Sequence, residues 1–202
     1  KLREGDVYSP SLLTEDRGRI RKLYGEDGYL DARIAAVRKP NLETGRIDVT
    51  FDITENNKFT VNSILVRGNE KTRTIAIVRE LALSPGEIFD LRRMETSEAR
   101  LRNTRFFERV TLNDEPIATQ DPELRRTRRN LVVNVKEGRT GHVSFGVGFS
   151  TLENAMMFAE FRQGNFDLFR WRGPHRLQGD GQKFRLRLKL GSRSSEARLA
   201  LE

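Results

Sequence analysis

Apolar residues occupy every second position over long stretches of this chain. The clearest run is 183–190, where Phe184, Leu186, Leu188 and Leu190 alternate with Lys183, Arg185, Arg187 and Lys189. A strand turns successive side chains to opposite faces, so this run predicts a strand with one apolar and one cationic face. Three neighbouring runs behave the same way. Val143, Phe145, Val147 and Phe149 are separated by Ser144, Gly146 and Gly148; Met157, Ala159 and Phe161 alternate with Phe158, Glu160 and Arg162; Ala197, Leu199 and Leu201 alternate with Glu196, Arg198 and Ala200. Ser150–Asn154 and Gly191–Ser195 read as hairpin turns, and Gly164–Gly181 as a longer loop holding Trp171, Gly173-Pro174 and Gly179-Asp180-Gly181. Such a meander fits the wall of a transmembrane β-barrel, with lipid on one side. It equally fits a soluble antiparallel sheet covered on one face. Alternation alone leaves both open.

Before about Gly138 the pattern is different and occurs twice. Gly5-Asp6-Val7-Tyr8-Ser9 is matched by Gly86-Glu87-Ile88-Phe89-Asp90, about 81 residues later. Each places a helix N-cap residue, Ser9 before Pro10 and Asp90 before Leu91. Helical spacing follows in Leu13, Ile20 and Leu23, and in Leu91, Met94 and Leu101. A strand comes next, carrying Ala32, Ile34 and Ala36 in the first copy and Val110 and Leu112 after Phe106-Phe107 in the second. A closing strand follows, with Ile47, Val49, Phe51 and Ile53 in the first and Leu131, Val133 and Val135 in the second. The second copy also has an opening section. Phe59–Arg67 reads as a strand, Gly68-Asn69 as a turn, and Thr72 as the cap of a short helix bearing Ile75, Val78 and Leu81. The complete unit is therefore strand, helix, helix, strand, strand. The first copy has no such opening before Gly5, so the chain is expected to begin partway through a repeat.

Composition narrows the classes. The 202 residues carry a net charge of +8 and 33% charged side chains, which admits an acidic partner, nucleic acid or anionic lipid. The basic residues are dispersed, and the densest run, Arg125-Arg126-Thr127-Arg128-Arg129, reads as a solvated hairpin loop or as a contact for acidic partners or lipid head groups; without interleaved aromatics it is a weak nucleic-acid signal. With no cysteine, disulfides and thiolate metal sites are excluded. No stretch approaches the roughly 20 apolar residues of a transmembrane helix. Lys1-Leu2-Arg3-Glu4-Gly5 reads as domain sequence rather than a signal peptide. The two histidines, His142 and His175, have no acidic cluster beside them in sequence, and Gly179-x-Gly181-x-Lys183 lacks phosphate-loop spacing and a following helix. No catalytic constellation emerges. The expectation is a protein that is not an enzyme and uses no cofactor.

In their order, these features resemble the outer-membrane assembly family, whose members carry polypeptide-transport-associated (POTRA) repeats before a β-barrel. Phe59–Glu137 looks like one complete repeat. Tyr24, Gly28-Tyr29 and Asp31-Ala32 look like the aromatic-glycine passage into a repeat's second strand, and Gly68-Asn69 like the turn after its first. Glu137-Gly138 through Gly141, then Gly146–Ser150, is similar to the family's first barrel strand. Gly164-Asn165-Phe166-Asp167-Leu168-Phe169 resembles its loop between barrel strands two and three, although Arg170-Trp171-Arg172-Gly173-Pro174 lengthens that loop. Gly191-Ser192-Arg193 resembles the turn after strand three.

The resemblance implies an α+β fold of POTRA repeats followed by the first antiparallel strands of a truncated transmembrane barrel. Residues 1–57 would be an incomplete repeat, 58–138 a complete one, and 139–202 the first four barrel strands. It implies a bacterial outer-membrane location with the repeats in the periplasm, and a role in folding and inserting barrel proteins. Partners would be unfolded outer-membrane proteins, accessory assembly lipoproteins and outer-membrane lipid, not nucleic acid. Two strand edges are candidates for pairing with substrate. One carries Phe107, Val110 and Leu112; the other carries Val143, Phe145, Val147 and Phe149 and, in the family, lines a lateral gate. Met157, Phe161, Phe184, Leu186, Leu188 and Leu190 would face lipid. The alternatives are a soluble envelope protein-interaction module and a basic nucleic-acid-binding protein.

Overall fold

The computed structural model describes residues 3–150, 154–172 and 174–202. Its elements run α1 (Pro10–Glu26), β1 (Arg33–Asn41), β2 (Arg46–Thr54), β3 (Thr60–Arg67), α2 (Thr74–Val78), α3 (Leu91–Asn103), β4 (Phe107–Pro116), α4 (Pro122–Thr127), β5 (Arg128–Glu137), β6 (Gly141–Ser150), β7 (Asn154–Phe166), β8 (Gln182–Gly191) and β9 (Ser195–Leu201). They build three sheets, ordered β1-β2, β3-β5-β4 and β6-β7-β8-β9. The expected strand, helix, helix, strand, strand unit is observed as β3, α2, α3, β4, β5, with the short helix α4 added between β4 and β5.

The chain divides into two compact units. One takes Lys1–Leu65, Ala82–Ser97 and Leu112–Val132; the other takes Val66–Leu81, Glu98–Thr111 and Val133–Glu202. In the first, Ser9 caps α1 by accepting from the Leu12 N–H, and Pro10 fills the first helical turn. Leu13 and Gly25 are the buried positions of α1, while Leu23 points outward and is 62% exposed. Gly25 is buried because Leu91 lies against it, where a β-carbon would sit 2.3 Å from Leu91 Cδ1. Phe59, Val61, Leu83, Phe89, Leu112, Leu131 and Val132 form the apolar interior. Ser97 is buried among them, since its hydroxyl donates to Arg93 O and accepts from the Ala82 N–H. Asp90 caps α3 through the N–H groups of Arg92 and Arg93.

In the second unit Ala76, Ile77, Leu101, Phe106, Phe107, Val110, Val133 and Val135 are buried. Helix α2 departs from expectation. Its cap is Arg73, with no side-chain cap bond, and it buries Ala76 and Ile77 while Ile75 is 66% exposed. Thr72 precedes the cap and is buried, because distant residues engage it instead.

Two loop assignments are also corrected. Arg125-Arg126-Thr127 is the end of α4, capped by Asp121 and started by Pro122, rather than a plain hairpin loop. Arg129 is held by Asp31 at 2.8 Å and Asp114 at 3.2 Å, which removes it from the solvated run. The loop expected from Gly164 begins later, because β7 continues to Phe166 through a register shift between Gln163 and Phe166. The turn expected at Ser150–Asn154 falls on 151–153, which lie outside the described residues, as does Gly173 of the long loop.

Candidate functional site: a two-faced sheet and its fastened loop

The four C-terminal strands bring the alternating runs into register. Directly opposed residues of antiparallel strands share a face. Val143, Phe161, Leu186 and Leu199 make one row across β6, β7, β8 and β9. Phe145, Ala159, Leu188 and Ala197 make the next, and Val147, Met157, Leu190 and Ser195 the one after. The apolar residues of β6 thus lie on the same face as Met157, Phe161, Phe184, Leu186, Leu188 and Leu190. That face is open: Phe145 is 80% exposed, Phe149 83% and Leu199 68%. At its end Phe184 stacks on Phe166 with centroids 5.0 Å apart.

The opposite face is charged. Glu160 is buried beside Arg162, to which it is hydrogen-bonded, and lies 3.6 Å from Arg185. Apolar exceptions on this face are Met156, opposite Gly148, and Phe158. Its ring lies over the backbone of Gly146, directly opposite, and Arg187 covers it at 5.4 Å from the centroid. A β-carbon at 146 would sit 2.3 Å from that ring. Gly146→Val is therefore expected to turn Phe158 off its site and destabilise the sheet by about 1–3 kcal/mol, measured by denaturant unfolding.

The loop between β7 and β8, Asp167–Gly181, is fastened to the turn after β3. Asn165 sits at φ +54°, a conformation asparagine tolerates, within the β7 irregularity. This aims its amide at Thr72: Nδ2 donates to Thr72 Oγ1 at 2.8 Å, while Oδ1 accepts from the Gly181 N–H at 3.0 Å. The Arg73 N–H donates to Gly179 O at 2.9 Å, Arg170 to Lys71 O at 2.9 Å, and Arg79 to Asp180 O at 2.8 Å. Asp167 is fully buried, and its Oδ1 accepts from the Phe169 N–H. Among the described residues its Oδ2 accepts no hydrogen bond, yet it lies 3.2 Å from Arg73 Nε, so the attraction there is Coulombic.

Glu137, at the end of β5, completes the fastening. It accepts from the N–H groups of Lys71 at 2.9 Å and Thr72 at 2.6 Å. Burial pushes its carboxyl up, but hydrogen bonds from the Thr72 side chain and from the backbone of Thr72, Lys71 and Glu70 outweigh burial and hold it below the ordinary carboxylate range. A depressed folded pKa adds stability that is present above the unfolded value, near 4.5, and is lost as pH falls through the folded value. Glu137→Gln is expected to lower stability at pH 7 by about 1–2 kcal/mol. In urea melts run from neutral to acid pH, the gap to the parent should close once Glu137 is protonated. A gap that stays constant with pH would contradict this.

Of the sequence candidates, β4 and β6 are both outermost strands of their sheets. They differ in what they present. Phe107, Val110 and Leu112 are buried, so β4 offers its backbone together with Glu108, Arg109 and Thr111, not those side chains. Val143, Phe145, Val147 and Phe149 are all exposed, so β6 offers backbone and apolar side chains together. No helix among the described residues is long and apolar enough to cross a membrane, a statement that leaves strands aside.

These features define a class: an α+β repeat protein whose last unit runs into a meander sheet with one apolar face. The chain belongs to the POTRA family, described as surface antigen variable number repeat, which matches residues 1–56 and 59–138. Its relatives include the outer membrane protein assembly factor BamA of Nitratidesulfovibrio vulgaris, 31% identical over 149 residues, covering 74% of this chain and 18% of the relative. BamA of Neisseria meningitidis is 26% identical over 164 residues, covering 81% of this chain and 20% of the relative. The chain thus spans about a fifth of these proteins. Among solved structures, BamA of Haemophilus ducreyi lacking POTRA domains 1–3 matches 98% of this chain and 34% of its own, with TM-score 0.82 and 21% identity. The POTRA3–5 structure of Haemophilus influenzae BamA matches 67% of this chain and 52% of its own, with TM-score 0.59 and 23% identity. Both are likenesses of fold.

Proposed function

We propose that this chain is the part of an outer-membrane protein assembly factor in which the last periplasmic repeats pass into the first strands of the membrane barrel, and that it acts without enzymatic chemistry. The observation that carries the reading is β6. It is the outermost strand of its sheet, it carries Gly141, Gly146 and Gly148, and its exposed apolar side chains continue the apolar face of β7, β8 and β9. An unpaired edge offers donors and acceptors to any extended segment, so barrel strands of many sequences can add to it. Glycines weaken strand packing and favour an edge that exchanges partners. The apolar face, with Met157, Phe161, Phe184, Leu186, Leu188 and Leu190, then meets lipid, and β4 is a second backbone edge on the periplasmic side. The partners are unfolded outer-membrane proteins, accessory assembly lipoproteins and outer-membrane lipid. The test is site-specific photo-cross-linking of a nascent barrel substrate from positions 143–149. Adducts along β6 are expected, and labelling confined to other regions would sink the reading.

A further inference from the structure

A cavity of about 200 Å³ opens on the charged face of the four-stranded sheet, at the end where β6 begins. One row of register partners lines it: His142, Arg162, Arg185 and Ala200, one from each strand. Phe106 gives it an apolar wall, and Arg105, Arg139 and Lys183 complete its rim. Five permanent cations therefore face two carboxylates, Glu202 at the rim and Glu160 paired with Arg162 and Arg185. The side chains of Arg105 and Lys183 have no hydrogen-bonded or ion-paired partner among the described residues. Such an excess of positive charge beside an apolar wall suits an anion carried on hydrocarbon, and guanidinium groups suit planar carboxylates.

We propose that this cavity takes a glutamate or aspartate side chain of a strand added to the free edge of β6. The proposal rests on the strand-pairing reading above and gives it a preference in sequence. Register supplies the argument. A residue placed opposite His142 shares its face and extends the row His142–Arg162–Arg185 by one position, about 4.8 Å further out. A residue there stands two strand spacings, about 10 Å, from Arg162, a gap that an extended glutamate and an arginine side chain span together. A lipid phosphate suits the site less well, because the cavity lies on the face opposite Phe161, Leu186 and Leu199, so a headgroup bound here would leave its acyl chains on the charged side.

The test uses the full 202-residue chain in neutral detergent micelles and a fluorescent ten-residue strand peptide. The peptide carries two glutamates at one end, or two glutamines in their place, and a photo-reactive group at its centre. At low salt the glutamate peptide should bind roughly 10-fold more tightly, and the preference should vanish in Arg139→Gln/Lys183→Gln while cross-links to β6 persist. Equal affinity of the two peptides, with both cross-linking to β6, overturns the acidic site and leaves strand pairing standing. Absence of β6 cross-links from either peptide overturns both readings. Loss of the preference when phosphatidylglycerol is added at constant ionic strength assigns the cavity to lipid phosphate and overturns the peptide occupant.

Discussion

Replacing Gly179 by alanine is expected to release the β7–β8 loop, whereas the same replacement at Gly86 leaves the fold nearly unchanged. Both glycines have left-handed backbones, φ +124° and +90°, so both alanines meet the torsional penalty of about 1 kcal/mol that a β-carbon brings there. The space around them differs. Nothing among the described residues lies within 4 Å of a β-carbon at 86, while one at 179 would stand 2.4 Å from the carbonyl oxygen of Lys71, which is backbone and cannot swing aside. Gly179 is also held on both sides, donating to Asn165 O at 2.8 Å and accepting from the Arg73 N–H at 2.9 Å. Moving it breaks those bonds and exposes the pairing of Arg73 with buried Asp167. We expect a total loss of about 3 kcal/mol or more for Gly179→Ala and about 1 for Gly86→Ala. Limited trypsin digestion reads the difference, since Arg170, Arg172 and Arg176 all lie in the loop. Cleavage there should rise at least roughly 10-fold in Gly179→Ala and stay at the parent rate in Gly86→Ala. Equal cleavage in the two variants would show that the loop is not held through Gly179.

The fastening explains why polar residues are buried where the sheet and the turn after β3 meet. Thr72, Asn165 and Asp167 are 3%, 4% and 0% exposed, and each is engaged by a group far along the chain or by the loop itself. Such a network fixes one geometry, because any shift leaves an unpaired polar group in a dry site. Strands β7 and β8 are thereby anchored at their loop end.

What the sequence revealed follows from how local each signal is. The faces of β6, β7, β8 and β9 were legible because alternation is written in neighbouring residues, and register only had to align faces already formed. The caps Ser9 and Asp90 were legible for the same reason. The signal for α4 is also present, an aspartate before a proline, but the density of arginines that follows fits a solvated loop equally well. The polar network was not legible. Asn165 meets Thr72 across 93 residues and Glu137 meets Lys71 across 66, and no periodicity encodes such pairs. Thr72 shows the consequence: its place before a helix suggested a cap, whereas its hydroxyl accepts from Asn165 and Arg73 takes the cap position uncapped. Phe158 broke the polar pattern of its face, and only the cross-strand pairing with Gly146 shows why a ring fits there.

The second large effect concerns the apolar face. Leu188 occupies its central row, between Ala159 on β7 and Ala197 on β9, with Phe145 one strand further along the same row. If this face meets lipid, an arginine at 188 places a charge near the middle of the hydrocarbon, at about 2–4 kcal/mol. In a soluble sheet with this face in water the same change would cost little, since Leu188 is 43% exposed. The partner substitution is Arg187→Gln, one residue away on the charged face, which removes one cation of several and the cover over Phe158. Offered to preformed lipid vesicles, the parent chain and Arg187→Gln should acquire protease-protected β6–β9 strands to similar extents. Leu188→Arg should be inserted roughly 10-fold less, and its far-ultraviolet spectrum in detergent should keep the parent strand content. Insertion of Leu188→Arg at the parent level would place the apolar face against protein rather than lipid. A loss for Arg187→Gln as large as for Leu188→Arg would show that the sheet does not distinguish its two faces in the membrane.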